Sequence, residues 1–591
     1  MWRRFILKSS FRSRRESLRG AVRIDVAMSD SVEMQKTAAP SFQRHVIIIG
    51  GGPVGMMLAM QLDRFGVQSV IVNTLPRPQW HPKGGTHNAR TMEHYRRLGL
   101  AADIRKLGLP PDHPTDVVYV TRLNGWELQR ITMPSEREKM RSVAEAELTD
   151  QVPEPLLRCN QMHVEAYLFD RICTLENVVN RFGWRCVGLN DHGSGVTAEI
   201  EDADTGERET LSGAYVVGCD GGQSLVRRAL SIRYDGEQPE PQAYLGGRMV
   251  STYIRSSALR ERIIRKIAWQ YWTVNRDIRS NTLSIDGKSE FLFNTRLRDD
   301  QDKPDDDSIS RAFIASVGQN IPFEVVQHST WIAGQALVAE QFGSGRVVMA
   351  GDAVHLFTPT GGFGMNTGVD DAVNLGWKLA ALVQGWGGVD LLKSYELERR
   401  PIALRNTAAA KLLARNVGAV PVAPEIEDHT DAGAFARLKA SEFLSTFGGE
   451  FGSLGIQLGA RYDSSPIIVS DGATPPGDDP LIYTVSSVPG GRAPHVWLEK
   501  GLSLFDCLGW GFTLLAFRED SAAVKVERTA LSLGIPFKIL KLFSGPARDL
   551  YQRDFALIRP DQHVAWRGNH LPEDCWSLLR RVTGCGLEKS S

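Results

Sequence analysis

Gly50, Gly52 and Gly55 fall in the spacing G-x-G-x-x-G, between a short apolar run and a helical stretch. The chemistry this spacing permits is the holding of a pyrophosphate. Gly50 allows a tight turn, Gly52 has no Cβ to keep a phosphate from the backbone, and Gly55 lets helix and strand pack closely. A helix N-terminus behind such a turn offers free N–H groups and the positive end of its dipole. The elements that must position these glycines are legible on either side. Val46 to Ile49 is β-branched and apolar and reads as a buried strand. Met56 to Phe65 reads as a helix and Ser69 to Val72 as the next strand, completing a βαβ unit. The second strand of such a unit should end on Asp or Glu to hold ribose hydroxyls. Here it ends on Asn73, whose neutral hydrogen bonds are weaker than charge-assisted ones.

Two further strings have the same strand–glycine–helix form. In GAYVVGCDGGQSLVRRALSI, a strand at Tyr215 to Val217 leads into Asp220, Gly221 and Gly222 and then a helix carrying Arg227. A lone Asp-Gly is only a turn signal; the whole string is far more specific. In GRVVMAGDAVHLFTPTGGFGMNTGVDDAVNLGWKLA, a strand at Val347 to Ala350 is followed by Asp352 and by a loop with Pro359, Gly361 and Gly362. The backbone N–H groups of that loop can face a ligand, and a helix starts near Asn366. His355 reads as a hydrogen-bonded structural residue, since no His or Cys lies at ligand spacing, and no metal site is expected. Lys83 lies in the loop TLPRPQWHPKGG and Arg90 on the helix read from Thr86 to Leu98. Either cation could meet phosphate charge or stay a solvated surface charge. Gln161 opens a helical stretch within Arg158 to Ile172, where its amide can reach a ligand.

A chain of 591 residues suggests two to four domains. Hydrophobic residues at 42%, charged residues at 23% and a formal net charge of +0 fit a soluble globular protein without a nucleic-acid footprint. The most apolar stretch, Leu502 to Phe517, contains Asp506 and is broken by Gly509 and Gly511, so no membrane insertion is expected. Seven cysteines without a C-x-x-C pair argue for reduced thiols in an intracellular, cytoplasmic protein. The Arg- and Ser-rich start, with no acidic residue before Glu16, resembles a mitochondrial transit peptide. A disordered basic extension, or a later start at Met28, reads the same residues without targeting.

The fold class expected is α/β (α+β overall). Residues 1–42 form the basic extension, and 43–233 and 332–420 the two parts of a Rossmann-like domain. They are interrupted by a β-sheet domain at 234–331, in which AWQYWTVN and SEFLFNTR are the clearest strands. Tyr271 and Trp272 are candidates to line a pocket against that sheet. A polar linker at 421–451 then leads to a separate region at 452–591.

The three glycine strings, in this order and with HPKGGTHNARTMEHYRRLG, resemble the single-component (class A) FAD-dependent aromatic hydroxylases. Within these the chain is similar to the phenol and dichlorophenol hydroxylase branch and to related polyketide hydroxylases. YDSSPII, GRAPHVWL, SLFDCLGWGFTLL and LIRPDQHVAWRG resemble the thioredoxin-like C-terminal domain of that branch, here without C-x-x-C and so without dithiol chemistry. That domain is expected to be structural or to support a homodimer.

The resemblance implies FAD, with Gly50, Gly52 and Gly55 at its pyrophosphate, Asn73 at the ribose and Lys83 and Arg90 near the phosphates. It implies Gln161 near the flavin, Asp220 and Arg227 serving both FAD and the nicotinamide cofactor, and Asp352 at the ribitol. Pro359, Gly361 and Gly362 would flank the isoalloxazine ring. It implies that NADPH or NADH reduces FAD, that O2 gives a flavin C4a-hydroperoxide, and that one oxygen passes to a small aromatic substrate. The phenol hydroxylase branch has an Asp two residues after the Lys83 position; here Gly85 stands there, leaving His87 or, through a relay, Tyr271 as candidate bases, or no dedicated base at all. Two other readings keep the fold: a tailoring monooxygenase that epoxidises or rearranges a polyketide-type substrate, and a degenerate flavin-fold binding module. A halogenase is disfavoured by the lack of a W-x-W-x-I-P stretch.

Overall fold

The computed structural model describes residues 45–237, 247–297, 303–333 and 335–586. The basic extension and its targeting reading lie outside the described residues.

A six-stranded sheet carries the glycine strings. Its order is Gly343–Ser344, Val347–Met349, Tyr215–Gly218, Val46–Ile49, Ser69–Asn73, Val178–Phe182. All neighbours run parallel except the short Gly343–Ser344 edge. The register aligns Ile49 with both Gly218 and Val72, and Gly218 with Met349. The three glycine loops therefore leave the sheet side by side at its carboxyl edge, where open parallel sheets bind ligands. The strands are buried on both faces, which explains why they read as unbroken apolar runs. Helices Pro53–Arg64 and Phe363–Gln384 pack their Met, Leu, Ala and Val side chains into the same core.

A seven-stranded sheet forms a second layer, in the order Glu324–Ala333, Gly247–Arg255, Glu290–Arg296, Arg279–Ser284, Gln270–Val274, Val117–Val120, Glu127–Ile131. Its last two strands come from residues assigned by sequence to the Rossmann-like domain. They join through a parallel pairing of Gln270–Val274 with Val117–Val120.

The stretch read as a linker is not irregular. Asp431–Leu444 is a helix whose N-cap, Thr430, accepts a hydrogen bond from Gly433 N–H. Its Ala436, Ala440 and Leu444 join a core with Tyr119, Trp269 and Trp272. Small alanines on the inner face let it lie close to the sheet, and this is why it lacks the bulky apolar periodicity of a buried helix.

The C-terminal region holds a mixed four-stranded sheet, Phe537–Lys541, Phe512–Ala516, Phe555–Ile558, Val564–Gly568, with helices Ala522–Ser532 and Cys575–Val582 packed against it in the thioredoxin-like manner. Leu502–Phe517, the most apolar stretch, is divided between a short helix and the strand Phe512–Ala516. All seven cysteines are free. Among the described residues no helix is long and apolar enough to cross a membrane.

Candidate active site

The first glycine loop is shaped for a ligand. A Cβ on Gly50, whose φ is +112°, would lie 2.1 Å from Cys219 O, and a Cβ on Gly55 would lie 2.0 Å from Gly50 O. Both positions are closed by backbone. A Cβ on Gly52 would meet nothing within 4 Å, so that position faces open space. Gly52 is also the N-cap of helix Pro53–Arg64, and no side chain caps it. The first turn thus presents unpaired N–H groups toward that space, the arrangement that binds phosphate. Asn73 accepts from Gly51 N–H at 3.1 Å and donates to Leu75 O at 2.9 Å, so its amide also braces the loop.

The other two loops converge here. Asp220 Oδ2 accepts from the N–H groups of Leu225 (2.6 Å) and Val226 (3.2 Å), while its buried Oδ1 has no partner. Arg227 donates to Ala353 O (3.1 Å) and Gly222 O (3.0 Å) and stacks 3.8 Å from the Tyr234 ring centroid, tying the two loops together. Asp352 is reached by solvent yet crowded by protein; this crowding raises its carboxyl above the usual carboxylate range against the opposing pull of His355 and Lys83. His355 itself is buried against Asp371 Oδ2 at 2.6 Å, a structural contact. Gly361 and Gly362 adopt φ of +77° and +65° just before helix Phe363–Gln384, whose N-cap is Gly362. The orphan Oδ1 of Asp220, the open approach at Gly52 and the uncapped helix together fit the pyrophosphate and ribityl portions of a dinucleotide flavin.

Beside the third loop lies a cavity of about 520 Å³. The segment His81–Asn88 and the loop Pro359–Phe363 form one side, with the seven-stranded sheet as the opposite wall. The register places Trp272, Asn281, Asn294, Ser251 and Ser329 in one row across that wall. Trp269, Trp272 and Trp331 supply flat apolar surface. Arg158 donates to Thr86 Oγ1 and lies 3.9 Å over the Trp269 ring. His81 Nε2 is 2.7 Å from Ser329 Oγ, and its Nδ1 has no partner. Burial, Lys83 and His328 hold this imidazole below its ordinary pKa.

The model of an FAD-binding domain matches residues 43–410, and that of the aromatic-ring hydroxylase C-terminal domain matches 486–585. The chain belongs to the FAD-dependent aromatic-ring hydroxylases. It is 31% identical over 577 residues to the FAD-dependent monooxygenase apdD of Emericella nidulans, covering 92% of this chain and 90% of that one. It is 27% identical to the 2,4-dichlorophenol 6-monooxygenase of Cupriavidus pinatubonensis, covering 94% and 98% of the two chains. Among solved structures, that of the rebeccamycin biosynthetic enzyme RebC with reduced flavin matches with a TM-score of 0.82 and 33% identity, over 92% of this chain and 99% of that one.

In this hydroxylase three expected site residues stand elsewhere. His87 does not line the cavity. The Thr86–His87 strand alternates, so Thr86 faces the cavity and His87 turns into the core against Tyr95. Burial lowers its pKa to about 4. Tyr271 points to the opposite side of the sheet from Trp272, into a core with Phe293 and Phe313. Its hydroxyl accepts from Ala268 N–H at 2.6 Å, and burial pushes it up to about 12, so it relays no proton to the cavity. Arg90 is buried and spends its donors on Glu93, Gln562 Oε1 (2.8 Å) and Asp561 O (2.7 Å), at the junction with the C-terminal domain rather than on a phosphate.

Lys83 lines the cavity, half-exposed, 3.4 Å from Glu165. Gln161 donates to the same carboxylate at 2.6 Å beside Gly84. Sequence reasoning missed His81, Arg158 and the row Asn281–Asn294–Ser251–Ser329. A signal was present: Asn281 and Asn294 sit inside otherwise β-prone strands, where Asn is normally depleted.

Proposed function

We propose that the protein uses NADH or NADPH and O2 to hydroxylate a phenolic or other aromatic substrate held in the 520 Å³ cavity. One oxygen atom enters the ring and the other leaves as water, with the two electrons drawn from the nicotinamide. The observation that carries this reading is the meeting of the Pro359–Phe363 loop with a wall of three tryptophans in one cavity. FAD, when bound, supplies the redox and oxygen chemistry.

The chain's own residues divide the remaining tasks. Gly52 and the first turn of Pro53–Arg64 would hold phosphate, Asp220 and Asp352 would take hydroxyl groups, and Gly361 would offer its backbone N–H to a flat ring edge, while Gly362 N–H is spent on Pro359 O at 3.3 Å. Trp269, Trp272 and Trp331 clamp an aromatic ring and exclude water, which would otherwise divert the oxidant to hydrogen peroxide. His81 accepts the phenolic proton: with Nε2–H donated to Ser329 Oγ, its Nδ1 lone pair is free, and its lowered pKa keeps it neutral near pH 7.

A second reading is favoured by cavity size. A volume of 520 Å³ lies within the roughly 300–1,000 Å³ range of sites for drug-sized ligands and exceeds what one phenol needs. The similarity to RebC, a rebeccamycin biosynthetic enzyme, supports a substrate from a biosynthetic, secondary-metabolite route. Oxidation of NADPH and NADH by the FAD-loaded protein, run against single-ring and fused-ring phenols with peroxide measured alongside, tests both. Fast oxidation with little peroxide marks the substrate class. A colourless protein that takes up no FAD would sink both in favour of a binding module.

A further inference from the structure

We propose that Asn281 recognises a pair of oxygens on adjacent ring carbons, one donating and one accepting, so that the preferred substrates are fused-ring aromatics with a catechol-type edge. The inference rests on the hydroxylase reading and adds to it the chemistry of the substrate edge.

Asn281 sits in the middle of strand Arg279–Ser284, near the centre of the seven-stranded sheet, and faces the cavity. It is 4% exposed, and neither its Oδ1 nor its Nδ2 has a hydrogen-bond partner. Buried side-chain amides are normally satisfied, and an orphaned one marks a group that awaits a partner. The rest of the row is different. Trp331 Nε1 donates to Ser251 Oγ (2.8 Å), Ser251 donates to Asn294 Oδ1 (2.5 Å), and Ser329 pairs with His81. Those groups are spent on one another. Among the described cavity-lining residues, Asn281 is the one whose side-chain donor and acceptor are both fully buried without a partner.

A primary amide offers one acceptor and a neighbouring donor in a single plane. Its complement is a planar edge with a hydroxyl beside a second oxygen. One hydroxyl donates to Oδ1, and the adjacent oxygen accepts from Nδ2. A single phenol hydroxyl can reach both only through two bent bonds converging on one oxygen, whereas two adjacent oxygens meet each group along its own line, and sites built this way discriminate against ligands that lack a group. The neighbours fit the ring that carries such an edge. Trp272 lies opposite Asn281 in register, and Leu283 and Leu292 line the same wall. These are apolar surfaces for fused rings, not for a lone polar head.

The test uses the FAD-loaded protein and three probes of one shape: 2,3-dihydroxynaphthalene, 2-naphthol and naphthalene. Binding is read from the perturbation of flavin absorbance on titration. The wild type is expected to bind the diol about tenfold or more tightly than 2-naphthol. Asn281→Leu, which fills the same volume without polar atoms, should collapse that ratio to near one while naphthalene binds at least as well as before. FAD content and melting temperature show that the variant is folded, and Asn281→Val, suited to a strand, replaces it if leucine overpacks. An unchanged ratio in a folded variant overturns the proposal. So does a wild type that binds 2-naphthol as tightly as the diol, with hydroxylation of simple phenols showing that the enzyme itself is sound. A loaded protein whose flavin responds to no aromatic ligand at all overturns the hydroxylase reading, and this inference with it.

Discussion

His81 and His87 lie six residues apart, and what separates their roles is which way each ring turns. His81 reaches the cavity with a free Nδ1, whereas His87 is sealed beside Tyr95. The imidazole of His81 is held below its ordinary 6.5, so it is the proton-accepting form that prevails at neutral pH. Activity that needs this base should fall only as pH drops through a value below 6.5. His81→Gln should abolish that acid limb and lower coupled hydroxylation by about a hundredfold, read from kcat/KM across pH with product and peroxide both quantified. His87→Leu should leave the pH profile intact. It should lower the melting temperature, since it removes a buried contact at a cost of about 1–2 kcal/mol. If the acid limb follows His87 instead, the assignment made from geometry is wrong. Neither outcome was legible in the sequence, nor was the split between Tyr271 and Trp272. Adjacent strand residues always face opposite ways, but which one faces the cavity depends on a register set by residues far along the chain. Asn281 was legible in principle, as a polar residue inside a strand, although only the cavity gives it meaning.

The first strand–loop–helix element, by contrast, was readable because all its constraints are local. Gly50 and Gly55 are pinned by backbone oxygens within a few ångströms, and Gly52 is pinned by nothing in the protein. The three glycines should therefore fail differently. Gly55→Val drives a side chain against Gly50 O and should prevent folding. Gly52→Val finds room in the ligand-free protein, so the chain should fold with a normal far-ultraviolet spectrum. It should nonetheless lose FAD, with affinity reduced by at least about tenfold because the side chain occupies the phosphate approach. Flavin content after purification and the melting temperature with and without added FAD separate these two effects. A Gly52→Val protein that keeps its flavin would remove the pyrophosphate from this loop. The element that sequence misread is the helix Asp431–Leu444. Its polar, alanine-rich surface carries a linker's composition, and only the core with Trp269 and Trp272 explains why it is ordered.

At the scale of the whole molecule, the string LIRPDQHVAWRG is the joint between the C-terminal domain and the flavin domain. The turn between strands Phe555–Ile558 and Val564–Gly568 inserts Arg559, Asp561 and Gln562 into buried surface, with Gln562 in a left-handed conformation of φ 64°. Arg559 donates to both oxygens of Glu398 (2.7 and 2.9 Å) and to Asp561 (3.0 Å to Oδ1), while Lys378 approaches Glu398 at 2.6 Å. Arg492 and Glu93 form a second fully buried pair at 2.5 Å. The network does not stop at the joint. Arg399, next to Glu398, holds Asp371 at 2.7 Å, and Asp371 accepts from Gly351 N–H at 3.1 Å, directly before Asp352. Loosening the joint should therefore loosen the flavin loop. Burial alone would raise the Glu398 carboxyl, but Arg559 and Lys378 outweigh it and bring it down from 4.5 to about 2. A depressed carboxyl contributes stability that is complete above pH 4.5 and drains away as pH falls toward 2. Unfolding and FAD release, followed by flavin fluorescence, should then steepen together over that window. Arg559→Met removes the cation that Glu398 and Asp561 share, leaving Glu398 to Lys378 and Ser465 and Asp561 to Asn374, Trp377 and His563, and breaking a buried network in this way costs about 3–5 kcal/mol. That variant should melt lower at pH 7, release FAD earlier, and show a shallower acid transition, because the charge that set the depressed carboxyl is gone. Asn73→Ala, which touches the first loop but not the joint, should weaken FAD without altering the acid transition. If Arg559→Met behaves like Asn73→Ala, the C-terminal domain is a passenger on the hydroxylase, not the clasp that holds its flavin loop in place.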